Sequence, residues 1–590
     1  MNLRSKAFKL MLNVLRYNSS HSRNLPIVKV LCLDDDSNIK VSFKMPRSSY
    51  LNVKAPKEES CQSLLSRIKL MVNLQRKKEE MRQVVMNKYS NVQVAVEEAE
   101  EDFDVNLIQN NTFMDEKTLN MEAWAQATQL KIGELSFDVK FNFPSVISLN
   151  LPEYILSGCS IRPRFRLECA NLEDCCFIWY RSQSKDKFND LLNIHGSGDL
   201  IIEEDRIWLK VSEGFIYTTC SDDIGCFLKV VCIPRRGKYV GQDYSTASVG
   251  EVQAVPEKLP FEKRQKFTPN LTEDDSIRCV SYNTLANTYV EKRKFPYCSE
   301  KARNNYYRKQ LLLKELIGYN SDIICLQEVE ERLFSYDIFP VLEKVGFHGC
   351  YKKKGGRRYE GLASFYRTSK FKLIKSCEVL LNEVIYKDFC KDLRTKVSGS
   401  NRDVSVLLKQ DSAFQILVLQ LRKFPFSMVI VANTHLYSNK DSPEVRLIQA
   451  ALCTQYIENL IKTEDLKSAG VLFCGDFNSM PNSETYNFMT SGKCFPSWKN
   501  NSNMNEEAPL THGLNLDSAC GTPDYTNYTE EFYGCLDYIF YSKNKLTVSE
   551  VVPMPRHEDV IAQIGLPNEY FPSDHLALVC TLKWKISTYS

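Results

Sequence analysis

The sequence predicts an α/β enzyme over residues 275–590, preceded by a β-rich domain, and three observations predict it. After residue 275, apolar runs of strand length end repeatedly in polar clusters, as when a sheet places reactive groups at one edge. Between 128 and 256, short β-type runs follow one another with turn residues between them. A chain of 590 residues is also too long for one hydrophobic core, so more than one domain is expected.

Each element follows from its local pattern. Residues 1–24 carry Arg4, Lys6, Lys9, Arg16 and Arg23, several serines and no acid before Asp34, the pattern of a mitochondrial presequence and hence of a matrix protein. Residues 25–127 form a second region. Pro26 to Leu33 and Ile39 to Met45 read as a hairpin around an Asp-rich turn. Glu58 to about Asn87 reads as a helix with Leu64, Ile68, Met71 and Leu74 on one face. The acidic stretch Glu97 to Asp104 reads as a solvated connector. Residues 128–256 read as a β-sandwich, and Trp179 within Phe177-Ile178-Trp179-Tyr180 resembles the core of immunoglobulin-like domains. Residues 257–274 are a linker to the catalytic domain at 275–590.

Composition narrows the function classes. Hydrophobic residues at 43% and charged residues at 25% fit a globular chain and exclude a fibrous or disordered one. A net charge of +3 excludes a dedicated nucleic-acid coat, so any RNA contact is local. The 21 cysteines show no paired zinc spacing, and Cys325, Cys453, Cys474 and Cys580 lie in or beside apolar runs, where a thiol packs as a small hydrophobe. No apolar stretch has the length of a bilayer span, so membrane insertion is not expected.

The chemistry sits in the polar clusters. Asn283 ends Val280-Ser281-Tyr282-Asn283, Glu328 ends Ile324-Cys325-Leu326-Gln327-Glu328, and Asn433 and His435 end Val431-Ala432-Asn433-Thr434-His435. Asp476 and Asn478 follow Leu472-Phe473-Cys474-Gly475, and Asp537, Asp574 and His575 come late in the chain. Such a set suits the attack of water on a phosphodiester, whose oxygens repel an anionic nucleophile unless positive charge is held nearby. Glu328, Asp476 and Asp574 are the natural ligands of Mg²⁺, a hard ion, with Asn283 and Asn478 as neutral donors. His435 and His575 then stabilise the transition-state phosphate, His575 being oriented by Asp537.

Gly475-Asp476-Phe477-Asn478-Ser479-Met480-Pro481, Leu536-Asp537-Tyr538-Ile539-Phe540 and Ser573-Asp574-His575 resemble the exonuclease/endonuclease/phosphatase superfamily, specifically its deadenylase branch. Val280 to Ala286, Tyr319 to Val329 and Tyr525-Thr526-Asn527-Tyr528 carry the likeness further. The resemblance implies a four-layered α/β sandwich. It implies a Mg²⁺-dependent 3′-to-5′ exoribonuclease that hydrolyses 2′,5′-oligoadenylates and the poly(A) tails of mitochondrial RNA to 5′-AMP. It also implies that Glu328, Asp476 and Asn478 hold the magnesium, that Asp476 transfers the proton, and that Asn283, His435, Asp537 and His575 complete the site. The alternative is a phosphatase of the same fold acting on a phospholipid or a nucleotide.

For single-stranded RNA, poly(A) or 2′,5′-oligoadenylate, the loop Lys352 to Arg358 offers Arg357 and Arg358 to phosphates, or is a solvated hairpin tip. Tyr525, Tyr528 and Phe532 stack on an adenine or pack in the core. The resemblance implies that Asn433 touches a phosphate or sugar beside His435.

Overall fold

The computed structural model describes residues 26–33, 36–46, 50–89, 103–184, 186, 190, 192, 194, 197–203, 205–397, 407, 410–496 and 509–585. The expected presequence and residues 97–102 of the acidic connector lie outside them. The chain divides into two compact units, one of residues 1–149, 165–177 and 231–245 and one of residues 150–164, 178–230 and 246–590.

The first unit is built on a sheet of seven strands: β1 (Ile27–Leu31), β2 (Asn38–Lys44), β3 (Tyr50–Pro56), β4 (Val105–Gln109), β5 (Thr112–Phe113), β6 (Gln129–Ile132) and β7 (Leu135–Phe141), in the order β3-β2-β1-β7-β6-β4-β5. The expected hairpin is β1–β2, antiparallel with Val30 opposite Val41. Alternate residues point to one face, so Val28, Val30, Ile39, Val41 and Phe43 are all buried. Helix α1 (Cys61–Tyr89) lays Leu64, Leu65, Ile68 and Val72 on that face. Leu74, expected on the same stripe, is exposed. Strands β6 and β7 correct the expected boundary at 128: β7 pairs in parallel with β1, so 129–141 complete this sheet instead of opening a β-sandwich.

In the second unit, residues 178–183 of β8 (Cys176–Gln183) run antiparallel with β10 (Ile207–Glu213), which pairs antiparallel with β9 (Leu200–Ile202). Trp179 is fully buried, stacks on Tyr217 with ring centroids 5.4 Å apart, and donates its indole N–H to Gly214 O at 2.8 Å. The expected linker at 257–274 is no solvated tether. A short helix, Pro260–Gln265, buries Phe261, and Arg264 donates to Pro553 O, Ala577 O and the Tyr319 hydroxyl. A buried arginine offers five N–H groups, and these acceptors satisfy several of them.

Two six-stranded sheets follow. The first comprises β11 (Ser276–Asn283), β12 (Ile323–Glu330), β13 (Phe347–Lys353), β14 (Glu360–Arg367), β21 (Leu546–Val551) and β22 (Leu578–Trp584), ordered β13-β14-β12-β11-β22-β21. The second comprises β15 (Phe371–Leu380), β16 (Ala413–Leu421), β17 (Met428–His435), β18 (Gly470–Asp476), β19 (Leu516–Ser518) and β20 (Asp537–Ser542), ordered β15-β16-β17-β18-β20-β19. Strands buried on both faces read as continuous apolar runs, and here each face has a partner. Ile277, Cys279, Ile323 and Cys325 meet Leu417, Val431, Leu472 and Cys474 between the sheets. Helix α2 (Asn305–Gly318) covers the outer face of the first sheet with Leu312, Leu313 and Leu316. Helix α3 (Pro443–Thr463) covers the second with Val445, Ile448, Leu452 and Ile457. The result is the four-layered α/β sandwich, helix, sheet, sheet, helix. Each large apolar side chain so buried contributes roughly 1.5–3 kcal/mol. The four cysteines expected to pack as hydrophobes are fully buried.

Candidate active site

Register brings the polar clusters to one edge of the sandwich. Strands β11 and β12 are parallel with Asn283 opposite Gln327, so Asn283 and Glu328 emerge together at their C-terminal ends. Strands β17 and β18 are parallel with His435 opposite Asp476, and β20 runs back with Asp537 opposite Asp476. Strand β22 is antiparallel to β11, which returns the preceding loop, with Asp574 and His575, to the same edge.

Local backbone then aims the side chains. Regular alternation would send Glu328 outward with Leu326. Instead the β12–β14 register shifts between Leu326 and Val329, and Glu328 adopts φ 57°, a conformation rare for a non-glycine residue and found at functional sites. Its Oε2 accepts the Ala286 N–H at 2.9 Å. Before Asp476, Gly475 leaves room for the neighbouring strand, since a Cβ there would stand 2.4 Å from Thr434 O. After it, Asn478 at φ 48° gives its backbone N–H to Asp476 Oδ1 at 2.9 Å, an Asx-turn that fixes the carboxylate.

The converged groups are close. Asn283 Nδ2 donates to Asp476 Oδ2 at 3.0 Å and to Glu328 Oε1 at 3.3 Å. Asp476 Oδ2 also lies 3.5 Å from His435 Nε2 and 3.7 Å from His575 Nε2. His575 Nδ1 stands 2.7 Å from Asp537 Oδ2, which the Thr526 hydroxyl also approaches at 2.6 Å. Lys354 Nζ lies 3.1 Å from His435 Nδ1 and 3.0 Å from Glu360 Oε1. An ammonium has only protons to give, so Nδ1 accepts and the ring proton of His435 sits on Nε2. A cavity of about 400 Å³ opens over this edge, with Glu328, Lys354, Arg358, Glu360, His435 and Asp574 in its wall.

Burial and crowding set the charges. Burial, then Glu360 and Asp574, push the Glu328 carboxyl up to about 7. Burial and Asp537 raise Asp476 to about 6 against the opposing charge of His575. Burial, with Lys354 and His575, holds His435 well below its ordinary range, so it is neutral. Burial also disfavours charge on His575, but Asp537 outweighs it and lifts the imidazole well above its usual value.

This donor set fits a divalent cation. Glu328, Asp476 and Asp574 supply hard oxygens and Glu360 and Asp537 add negative charge, against Lys294, Lys354 and Arg358 in the cavity wall and a charged His575. Glu360 Oε2 and Asp537 Oδ1 are buried without partners. Asp476, Asp537 and His575 also come close enough together to suggest a ligand trio. His575 and Asp537, however, are engaged with each other, and a protonated imidazole has no lone pair for a metal. Asn478 Nδ2 donates to Leu436 O at 3.1 Å, so the amide oxygen is the end left for a cation.

Not every expected residue reaches the cavity. Asn433 is the clear correction. Its Oδ1 accepts from Gln327 Nε2 at 2.9 Å and its Nδ2 donates to Leu326 O at 3.1 Å, so both ends of the amide are used between the sheets. Arg358 lines the cavity and Arg357 does not. Tyr528 touches the site through its backbone, donating its N–H to Asp574 O at 3.0 Å, while its ring stacks on Tyr533. Phe532 is 45% exposed and outside the cavity wall. The sequence reading named Lys354 only within the basic loop and gave Glu360 and Thr526 no role. A carboxylate opening the apolar run Gly361-Leu362-Ala363 was the available signal for Glu360, since a buried acid needs a counter-charge.

Comparison with known proteins agrees with this geometry. Residues 280–575 match the model of the endonuclease/exonuclease/phosphatase family, and residues 143–253 match that of the 2′,5′-phosphodiesterase 12-like N-terminal domain. The chain is 38% identical to rat (Rattus norvegicus) 2′,5′-phosphodiesterase 12 over 483 residues, covering 80% of this chain and 78% of that one. It is 26% identical to Arabidopsis thaliana carbon catabolite repressor protein 4 homolog 1, over 64% of this chain and 70% of that one. Among solved structures, ANGEL2, a 2′,3′-cyclic phosphatase, is 26% identical with a TM-score of 0.45, over 53% of this chain and 96% of that one.

Proposed function

This chain belongs to the endonuclease/exonuclease/phosphatase family and is a phosphodiesterase, and from that premise we propose that it is a Mg²⁺-dependent 3′-to-5′ exoribonuclease of the mitochondrial matrix. Its substrates are 2′,5′-oligoadenylates and poly(A) tails, and its product is 5′-AMP. The observation that carries the reading is the meeting of Asn283, Glu328, His435, Asp476, Asp537 and His575 at one sheet edge. The likeness to 2′,5′-phosphodiesterase 12 supports the substrate, and the basic residues Arg4, Lys6, Lys9, Arg16 and Arg23 support the compartment.

Glu328, Asp476 and Asp574, with Asn478, would hold the magnesium, which supplies the positive charge that lets a hydroxide approach a phosphodiester. Asn283, expected as a ligand, instead steadies Asp476 and Glu328 through its Nδ2 and accepts the Leu285 N–H at its Oδ1. The chain's own groups do the rest. Asp476, raised to about 6, is poised to accept the proton of the attacking water near neutral pH. His435, neutral with its proton on Nε2, donates to a phosphate oxygen. Charged His575, held by Asp537, balances the negative charge that grows on the phosphate. Lys354 and Arg358 in the cavity wall suit further phosphates of an oligonucleotide, and the exposed ring of Phe532 is available to an adenine.

The test supplies 2′,5′-triadenylate and 3′,5′-triadenylate side by side with Mg²⁺ and separates the products. AMP from either supports the reading. Inorganic phosphate without oligonucleotide cleavage points to a phosphatase instead.

A further inference from the structure

We propose that Arg308 is a positioning residue that ties together the two loops on which the catalytic edge is built. It stands on α2, on the helix layer, and is not part of the cavity wall. Its guanidinium is buried, donating from Nε to Pro572 O at 2.6 Å and from Nη2 to Thr284 O at 2.9 Å and Leu285 O at 2.6 Å.

Those three carbonyls belong to two loops far apart in sequence. The first follows Asn283 and gives the Leu285 N–H to Asn283 Oδ1 at 3.0 Å and the Ala286 N–H to Glu328 Oε2 at 2.9 Å. The second continues from Pro572 directly into Ser573, Asp574 and His575. One further tie joins them, the Ser573 hydroxyl donating to Asn283 O at 2.7 Å. Leu285 sits at φ 55°, a strained backbone that persists only where its surroundings fix it. A planar fork of donors reaches two segments at once, which the single nitrogen of a lysine does not. Among the described residues no carboxylate lies within ion-pair distance of Arg308, so its bonds go to backbone placement.

The inference rests on the phosphodiesterase site and not on which RNA it cleaves, so the test uses bis(p-nitrophenyl) phosphate. Full-length Arg308→Lys is compared with Leu316→Ala, which opens the same helix interface about two turns further along α2. In Arg308→Lys, kcat is expected to fall about 100-fold, the cost of a misplacement near 1 Å, with KM within about threefold of wild type. Leu316→Ala is expected to lose thermal stability and keep kcat. Amide exchange at 284–286 and 573–576 is expected to quicken in folded Arg308→Lys, a readout independent of substrate. The proposal is overturned by wild-type kcat in Arg308→Lys, by unchanged exchange, by an equal kcat loss in Leu316→Ala, or by an Arg308→Lys chain that does not fold. A wild-type protein inactive on every oligoadenylate yet active on this diester would sink the RNA reading alone.

Discussion

His575 Nδ1 lies 2.7 Å from Asp537 Oδ2, and the other ring nitrogen faces Asp476 at 3.7 Å. One carboxylate therefore orients and charges an imidazole that looks onto a second. Asp537→Asn removes the charge that outweighs burial, so the His575 pKa falls. The expected outcome is a kcat loss of about 10²- to 10⁴-fold, with the alkaline limb of the pH–rate profile moved to lower pH. An unchanged limb would show that His575 does not act as a cation.

Lys354 sits between His435 and Glu360. Lys354→Met removes a positive charge that depresses His435 and lowers Glu328. Both pKa values are then expected to rise, and the ring proton of His435 loses its fixed place. Imidazole NMR reads the first effect. A kcat loss of about 100-fold reads the second.

Glu328 and Asp476 give a signed pH dependence. Their folded values, about 7 and about 6, exceed the ordinary values of 4.5 and 3.8. Between those limits the native chain binds more protons than the unfolded one, so cation-free stability falls as pH rises through the window. A divalent cation competes with the same protons. The rise in melting temperature produced by Mg²⁺ is therefore expected to be small near about pH 5.5 and to grow above about pH 7. An equal rise at both would separate the cation from these carboxylates.

Asn433→Ala tests the correction. It removes the shortest acceptor of the buried Gln327 Nε2, leaving the longer contacts to Cys325 O at 3.3 Å and Ser281 Oγ at 3.4 Å, at a cost of about 1–3 kcal/mol. Melting temperature is expected to drop while KM for oligoadenylate stays at the wild-type value. A raised KM with unchanged stability would restore Asn433 to the substrate.

The sequence made the catalytic half legible because each reactive residue closes an apolar run: strand and edge are read from the same string, as in Leu472 to Asn478. Depth was not legible. Asn433 and His435 share a face of β17, as residues two apart do, yet one lies between the sheets and the other at the cavity. The shift that turns Glu328 inward was equally hidden, since alternation alone would have put it beside Leu326. Nor does spacing show that β7 pairs with β1, more than a hundred residues away, which is why the first domain boundary was misplaced. Arg308, Lys354 and Thr526 act through partners from other elements and loops, and no local pattern announces such pairs.

Full-length Asp476→Ala and Glu328→Ala, assayed in single turnover on triadenylate with Mg²⁺ and again with chelator, test the catalytic site most directly. Removing a carboxylate that holds both the cation and the proton is expected to abolish AMP release, with a loss of at least about 10³-fold, and chelation of the wild type to match it. AMP release at the wild-type rate by either folded variant, or in chelator, would contradict hydrolysis at this edge.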